Sequence, residues 1–322
     1  MQAISTDTLT KHYAVGFWRP RPYRALDGLT LSVERGEVFG FLGPNGAGKT
    51  TTLKLLMQLI YPTSGRAELL GRPAGDVAAR HRIGYLPENP FFYDHLTAEE
   101  LLTYFAGLFG YAGSARRERV GRLLDEVGIG AERRLPLRRF SKGMLQRVGI
   151  AQALVNDPEL VIFDEPMSGL DPLGRRDVRQ LILRLRDQGV TVFFSSHVLS
   201  DAEAVCSRVA ILARGRLAAS GRLDELAPFT VRGWELVMAE LDETLLDRIR
   251  PRLLGATRIG ERRHALELAL DAGPERLAAE LTAAGARLVS LNPIRDTLED
   301  FFVQQVTTSE AAGDERWPGA RA

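Results

Sequence analysis

The segment Gly43-Pro44-Asn45-Gly46-Ala47-Gly48-Lys49-Thr50, followed by Thr51, has the residue types and spacing that surround phosphate oxygens. Backbone N–H groups of such a glycine-rich turn, with the positive end of a following helix, form the cradle. Lys49 is then placed to reach β- and γ-phosphates, and Thr50 to ligate Mg²⁺. A second group is the carboxylate pair Asp164 and Glu165, at the end of the apolar run Leu160-Val161-Ile162-Phe163. Beside a triphosphate the two acids take different roles. Asp164 holds Mg²⁺ through water, and Glu165 orients or deprotonates the attacking water. Alone, an Asp-Glu pair at a strand end also suits a helix-capping loop; the phosphate turn selects the chemical reading.

These groups need a scaffold that brings strand ends together. Val38-Phe39-Gly40-Phe41-Leu42 reads as an apolar strand feeding the turn, and Leu53, Leu56, Leu59 and Ile60 as a helix after it, stopped by Pro62. Thr97 and Glu100 make a capping box ahead of Leu101, Leu102, Phe105, Leu108 and Phe109. Val120, Leu123, Leu124 and Val127 mark a further helix. Residues 160–163 and 190–194 are continuous apolar runs, as in parallel strands covered on both faces, and helices over 175–188 and 198–205 alternate with them. The fold expected is α/β, with a helical insertion at about 88–145. Beyond Pro228 the segments 230–239, 241–253, 256–259, 264–270, 274–284 and 286–291 read as β-α-β-β-α-β, a small α+β, ferredoxin-like domain over 228–306. The Ala/Gly/Glu/Arg-rich stretch 307–322 is expected to be disordered.

A length of 322 residues suits one large and one small domain, since single cores stop growing near ~250 residues. A net charge of +1 gives no global field toward nucleic acid or an anionic membrane, so specificity rests in local sites. The single cysteine, Cys206, excludes an internal disulfide. No apolar run approaches the ~20 residues of a membrane span, and no signal peptide is evident. A reducing cytoplasm is the expected setting, with any membrane spans supplied by a partner.

Over roughly residues 1–225 the chain resembles the ATP-binding-cassette (ABC) ATPases. Phe140-Ser141-Lys142-Gly143-Met144-Leu145-Gln146-Arg147 is similar to the family's signature segment, with Lys142 and Met144 where glycine and glutamine are usual. The resemblance implies that Ser141 and Gly143 contact a γ-phosphate. Ser168-Gly169-Leu170-Asp171-Pro172 resembles the D-loop that joins two sites across a dimer, and Asp171 also suits a plain helix start. His197 resembles the switch histidine that touches the γ-phosphate. Tyr13 resembles the aromatic residue that stacks on adenine, and equally suits a core tyrosine. Glu88 stands where the family normally has glutamine, a contact to Mg²⁺ and water.

The resemblance implies a chain that binds ATP and Mg²⁺ and pairs head to tail with a second copy or a homologous ATPase subunit. It also implies a peripheral position on the inner face of the cell membrane, driving a separate permease. Asn292 to Phe302 looks like the tail of ATPase subunits from ABC-2-type exporters, which favours export. The basic aromatic stretch 15–25 and the arginine-rich run 116–139 suit solvated surfaces as well as partner contacts. An alternative is a soluble ABC ATPase remodelling a ribosomal or nucleic-acid complex. Such proteins carry two cassettes, coiled coils or zinc insertions, which this sequence lacks, and no nucleic-acid partner is expected. A third is a regulatory nucleotide-binding module without transport.

Overall fold

A computed structural model describes residues 1–16, 21–226 and 231–295, with Arg295 described by its backbone alone. The tail expected over 307–322, most of the exporter-like run from Asp296 to Phe302, and part of the basic stretch 15–25 lie outside the described residues. The chain divides into two compact units, one spanning Met1–Leu223 and the other beginning at Asp224.

The first unit is built on a six-stranded sheet in the order Arg216–Arg222, Arg208–Ala213, Val38–Leu42, Thr191–Ser196, Leu160–Phe163, Ile83–Leu86. All but the first strand are parallel to their neighbours. The apolar runs explain why. Val38, Phe39, Phe41, Leu42 and residues 160–163 are fully covered, as both faces of a parallel sheet must be. Phe39 and Phe41 pack on Phe193 across adjacent strands, with ring centroids 5.8 and 5.4 Å apart. Because these strands run the same way, their C-terminal ends share one edge, where α/β sheets bind ligands. Leu42 leads there into the phosphate turn, Phe163 into Asp164 and Glu165, Ser196 into His197, and Leu86 toward Glu88. A second sheet, antiparallel, has the order Arg21–Glu34, Gln2–Val15, Ser64–Leu69, Arg72–Pro73.

The helix after the phosphate turn, Lys49–Leu56, is shorter than its apolar spacing predicts. Gln58 adopts φ +49°, its N–H reaches the Leu55 carbonyl, and the Leu59 N–H reaches that of Lys54. This left-handed C-terminal cap ends the helix before Pro62 and leaves Leu59 exposed. In the insertion, Thr97 and Glu100 form the expected capping box at the start of Ala98–Leu108. The helices Gly113–Glu126 and Lys142–Ala153 follow.

Beyond His197 the short helix Leu199–Glu203 carries Asp201, whose side chain is 2% exposed. Arg179, on the helix Pro172–Asp187, donates to its Oδ1 from Nε at 3.2 Å and Nη2 at 2.8 Å. Arg179→Ala would leave that carboxylate buried and unpaired. The expected cost is about 2–4 kcal/mol, a fall of roughly 5–15 °C in Tm by calorimetry.

The second unit has strands Val231–Ala239, Gly255–Gly260, Arg263–Ala269 and Arg287–Arg295 and helices Glu243–Ile249 and Pro274–Ala283, in the chain order β-α-β-β-α-β. In the order Gly255–Gly260, Arg263–Ala269, Val231–Ala239, Arg287–Arg295, every neighbouring pair is antiparallel. This is the split β-α-β arrangement. Leu236, Met238, Leu266 and Leu268 from the sheet meet Leu246, Leu277 and Leu281 from the helices in a core of its own. Among the described residues no helix is long and apolar enough to cross a membrane.

Candidate active site

The phosphate turn is fixed by close backbone approaches. Gly48 has φ +106°, and a Cβ there would lie 2.4 Å from the Ala25 carbonyl oxygen. A Cβ at Gly43 would lie 2.5 Å from that of Leu212. Ala47 is buried, its N–H bonded to the Pro44 carbonyl at 3.1 Å. Helix Lys49–Leu56 begins at Gly48 with no side chain capping its first turn, so backbone donors remain for an anion. The Lys49 side chain, only 6% exposed, folds back over the turn. Its Nζ donates to the carbonyls of Gly43 at 2.7 Å and Pro44 at 3.3 Å, and lies 3.3 Å from Glu165 Oε1.

Glu165 takes φ +51°, an unusual value for a residue with a Cβ. Its Oε2 lies 2.9 Å from Nδ1 of His197, which places the carboxylate between a lysine and an imidazole. Asp164 is 1% exposed. Its Oδ1 accepts from the Ser195 hydroxyl at 2.6 Å, while Oδ2 is buried with no hydrogen-bond partner. Burial pushes the Asp164 carboxyl above its ordinary pKa; the hydrogen bond from Ser195 and the nearby Thr50 hydroxyl oppose the rise, and the charges of Glu88 and Glu165 add to it.

A buried, open carboxylate oxygen beside a threonine hydroxyl and two further acids fits a hard divalent cation. Among the described residues no three His, Cys, Asp or Glu side chains form a metal cage. A magnesium ion held by Thr50, Asp164 and Glu88 would draw its other oxygens from phosphate and water.

Most of the predicted residues line two separate clefts, while Gly43, Ala47 and Asp164 line neither. One, of about 420 Å³, is lined by Pro44, Asn45, Gly46, Gly48, Lys49, Thr50 and Thr51 together with Glu88, Glu165 and His197. The other, of about 470 Å³, is lined by Ser141, Lys142 and Gly143 together with Gly169 and Asp171. In the second cleft Ser141 caps the helix Lys142–Ala153, accepting from the Met144 N–H at 3.2 Å, and Asp171 caps Pro172–Asp187, accepting from the Gly174 N–H at 2.8 Å. Gly143 packs near Leu170, and the Lys142 side chain lies across Gly169. Gln146, 2% exposed, donates to the Pro166 carbonyl at 3.2 Å and so ties the signature helix to the loop after Glu165.

Tyr13 does not line the phosphate cleft. Its ring sits beneath Lys11 Nζ at 5.2 Å, and its cross-strand partner Tyr23 lines the cleft instead, with Ala25 and Ser168. Tyr23, Ser195 and Gln146 are site residues that sequence reasoning passed over. Only the hairpin register would have exposed Tyr23, and irregularities along Gln2–Val15 hide it.

The ABC transporter family model matches residues 26–168, a span that holds the phosphate turn, the signature segment and the Asp164-Glu165 pair. ABC transporter ATP-binding protein sll0415 of Synechocystis is 45% identical over 314 residues, covering 95% of this chain and 87% of that protein. Bacitracin transport ATP-binding protein BcrA of Bacillus licheniformis is 41% identical over 217 residues, 66% of this chain and 68% of its own length. Among solved structures, the dimeric ATP-binding cassette MJ0796, in a post-hydrolysis state with ADP and Pi, superposes with a TM-score of 0.63. It is 26% identical and covers 68% of this chain and 98% of that one. With a relative aligned along nearly its whole length and the phosphate cleft in place, the chain belongs to the ABC transporter ATP-binding proteins and is an ABC ATPase.

Proposed function

We propose that two such ATPase subunits meet head to tail, each completing the other's site, and that ATP hydrolysis between them drives a separate membrane permease. The observation that carries this reading is the division of one chemistry between two clefts. Lys49, Glu165 and His197 line the first, while Ser141, Gly143 and Asp171 line the second. A second copy brings the missing half.

In the assembled site the uncapped turn of Lys49–Leu56 and the Lys49 ammonium receive the phosphate chain, and Tyr23, in place of Tyr13, offers its ring to adenine. Thr50, Asp164 and Glu88 would hold Mg²⁺, which would supply positive charge against the phosphate chain. Glu165 orients a water and takes its proton as the water oxygen bonds to the γ-phosphorus. The bond from that phosphorus to the bridging oxygen breaks, giving ADP and phosphate. His197, held against Glu165, and the partner's Ser141 and Gly143 segment contact the γ-phosphate.

Export is the direction we favour, because the run from Asn292 to Phe302 resembles the tail of ATPase subunits from ABC-2-type exporters. The insertion presents Phe91, 92% exposed, and Tyr104, 59% exposed, as apolar surface for a permease at the inner face of the cell membrane. The transporter reading is tested by affinity capture of the tagged chain from solubilised membranes. A polytopic membrane protein in equal amount is expected; a ribosome or nucleic acid in its place would overturn it.

Glu88 lines the phosphate cleft and would place a carboxylate beside the cation where glutamine would place a neutral amide. Glu88→Gln is expected to keep ATP affinity within about twofold and shift the Mg²⁺ concentration for half-maximal hydrolysis by roughly fivefold, the worth of ~1 kcal/mol of charge in a wet site. Magnesium titrations of both proteins check this.

A further inference from the structure

We infer that Ser195 is a positioning residue for hydrolysis: its hydroxyl selects which oxygen of Asp164 faces the cation, and it holds Glu165 in its left-handed backbone. The inference rests on the ATP site proposed above. Ser195 lies in the strand Thr191–Ser196, one residue past the pairing of Phe163 with Phe194, and is fully buried. Its Oγ accepts from the Glu165 N–H at 2.9 Å and donates to Asp164 Oδ1 at 2.6 Å.

The direction of both bonds is forced. A backbone N–H can only donate, so the single hydroxyl proton goes to the carboxylate. Two consequences follow for the chemistry. With Oδ1 engaged, Oδ2 is the buried oxygen left without a partner, and it is the one open to a cation. With its N–H tethered, Glu165 keeps φ +51°, a conformation that side chains with a Cβ avoid unless the surroundings hold it. In that conformation its two carboxylate oxygens reach Lys49 and His197. The preceding residues 191–194 build the strand from packing, so the strand itself has no need of a hydroxyl at 195.

The test compares the full chain with Ser195→Ala, using Mn²⁺ as a spectroscopic stand-in for the cation. ATP affinity is measured first without metal, then Mn²⁺ affinity of the ATP complex by electron paramagnetic resonance, then kcat and KM with Mg·ATP. Ser195→Ala is expected to keep metal-free ATP affinity within about twofold, weaken Mn²⁺ at least about fivefold, and lower kcat at least about tenfold with KM nearly unchanged. Unchanged Mn²⁺ affinity and kcat would overturn the inference. So would a joint loss of ATP affinity and melting temperature, which marks a merely structural residue. Should the alanine protein fail to fold, Ser195→Cys, close in volume but a weak donor, carries the same readouts. A wild-type chain that binds no ATP would instead sink the nucleotide reading itself.

Discussion

Glu165→Gln is expected to lower ATP turnover by about 10²–10⁴-fold while nucleotide binding persists. The amide keeps the size and one acceptor of the carboxylate, so the loop geometry set by the Ser195 bond to the Glu165 N–H survives. What it loses is the basic oxygen that takes a proton from water. Lys49 keeps its bonds to the Gly43 and Pro44 carbonyls, so the turn stays shaped for phosphate. Steady-state phosphate release read beside equilibrium binding of a fluorescent ATP analogue separates the two effects. Equal losses in both would mean that Glu165 serves binding instead of chemistry.

Lys49→Met should act on the other side of that division. Charge-assisted hydrogen bonds contribute about 1.5–3 kcal/mol each, so losing the ammonium should weaken ATP by roughly 10²-fold or more. It also strips Glu165, 7% exposed, of the Lys49 ammonium, while its contact with His197 remains. The ATP-free variant is therefore expected to melt below wild type, as a buried acid without its counter-ion must. Binding calorimetry and a melting curve check both parts. Wild-type ATP affinity in this variant would mean that the cleft at Gly43 is not where the phosphates rest.

Much of this was legible before any coordinates because local spacing carried it. The turn from Gly43 to Thr50 needs glycine where the backbone passes 2.4 Å from where a side chain would begin, and that requirement is written in the residues themselves. The strand Leu160–Phe163 is apolar throughout because it is covered on both faces, and its end had to deliver Asp164 and Glu165 to the sheet edge. The capping box at Thr97 was readable for the same reason, being a contact across three residues.

Long-range register was not legible. Tyr13 and Tyr23 face each other on paired strands, and which ring meets the cleft depends on irregularities between Gln2 and His12 that no local pattern announces. Ser195 looks like an ordinary strand residue until Leu160–Phe163 is laid beside it. The helix after the turn ends at a left-handed Gln58, a conformation more often taken by glycine or asparagine, so the apolar spacing overran it. The separation of Ser141 and Asp171 from Lys49 is likewise a property of the fold.

The claim that two copies share their sites is tested most directly by the mass of Glu165→Gln in solution. Light scattering after gel filtration with Mg·ATP should give twice the mass of the chain, returning to one chain when nucleotide is removed. A single-chain mass at saturating Mg·ATP, with nucleotide bound, would contradict it.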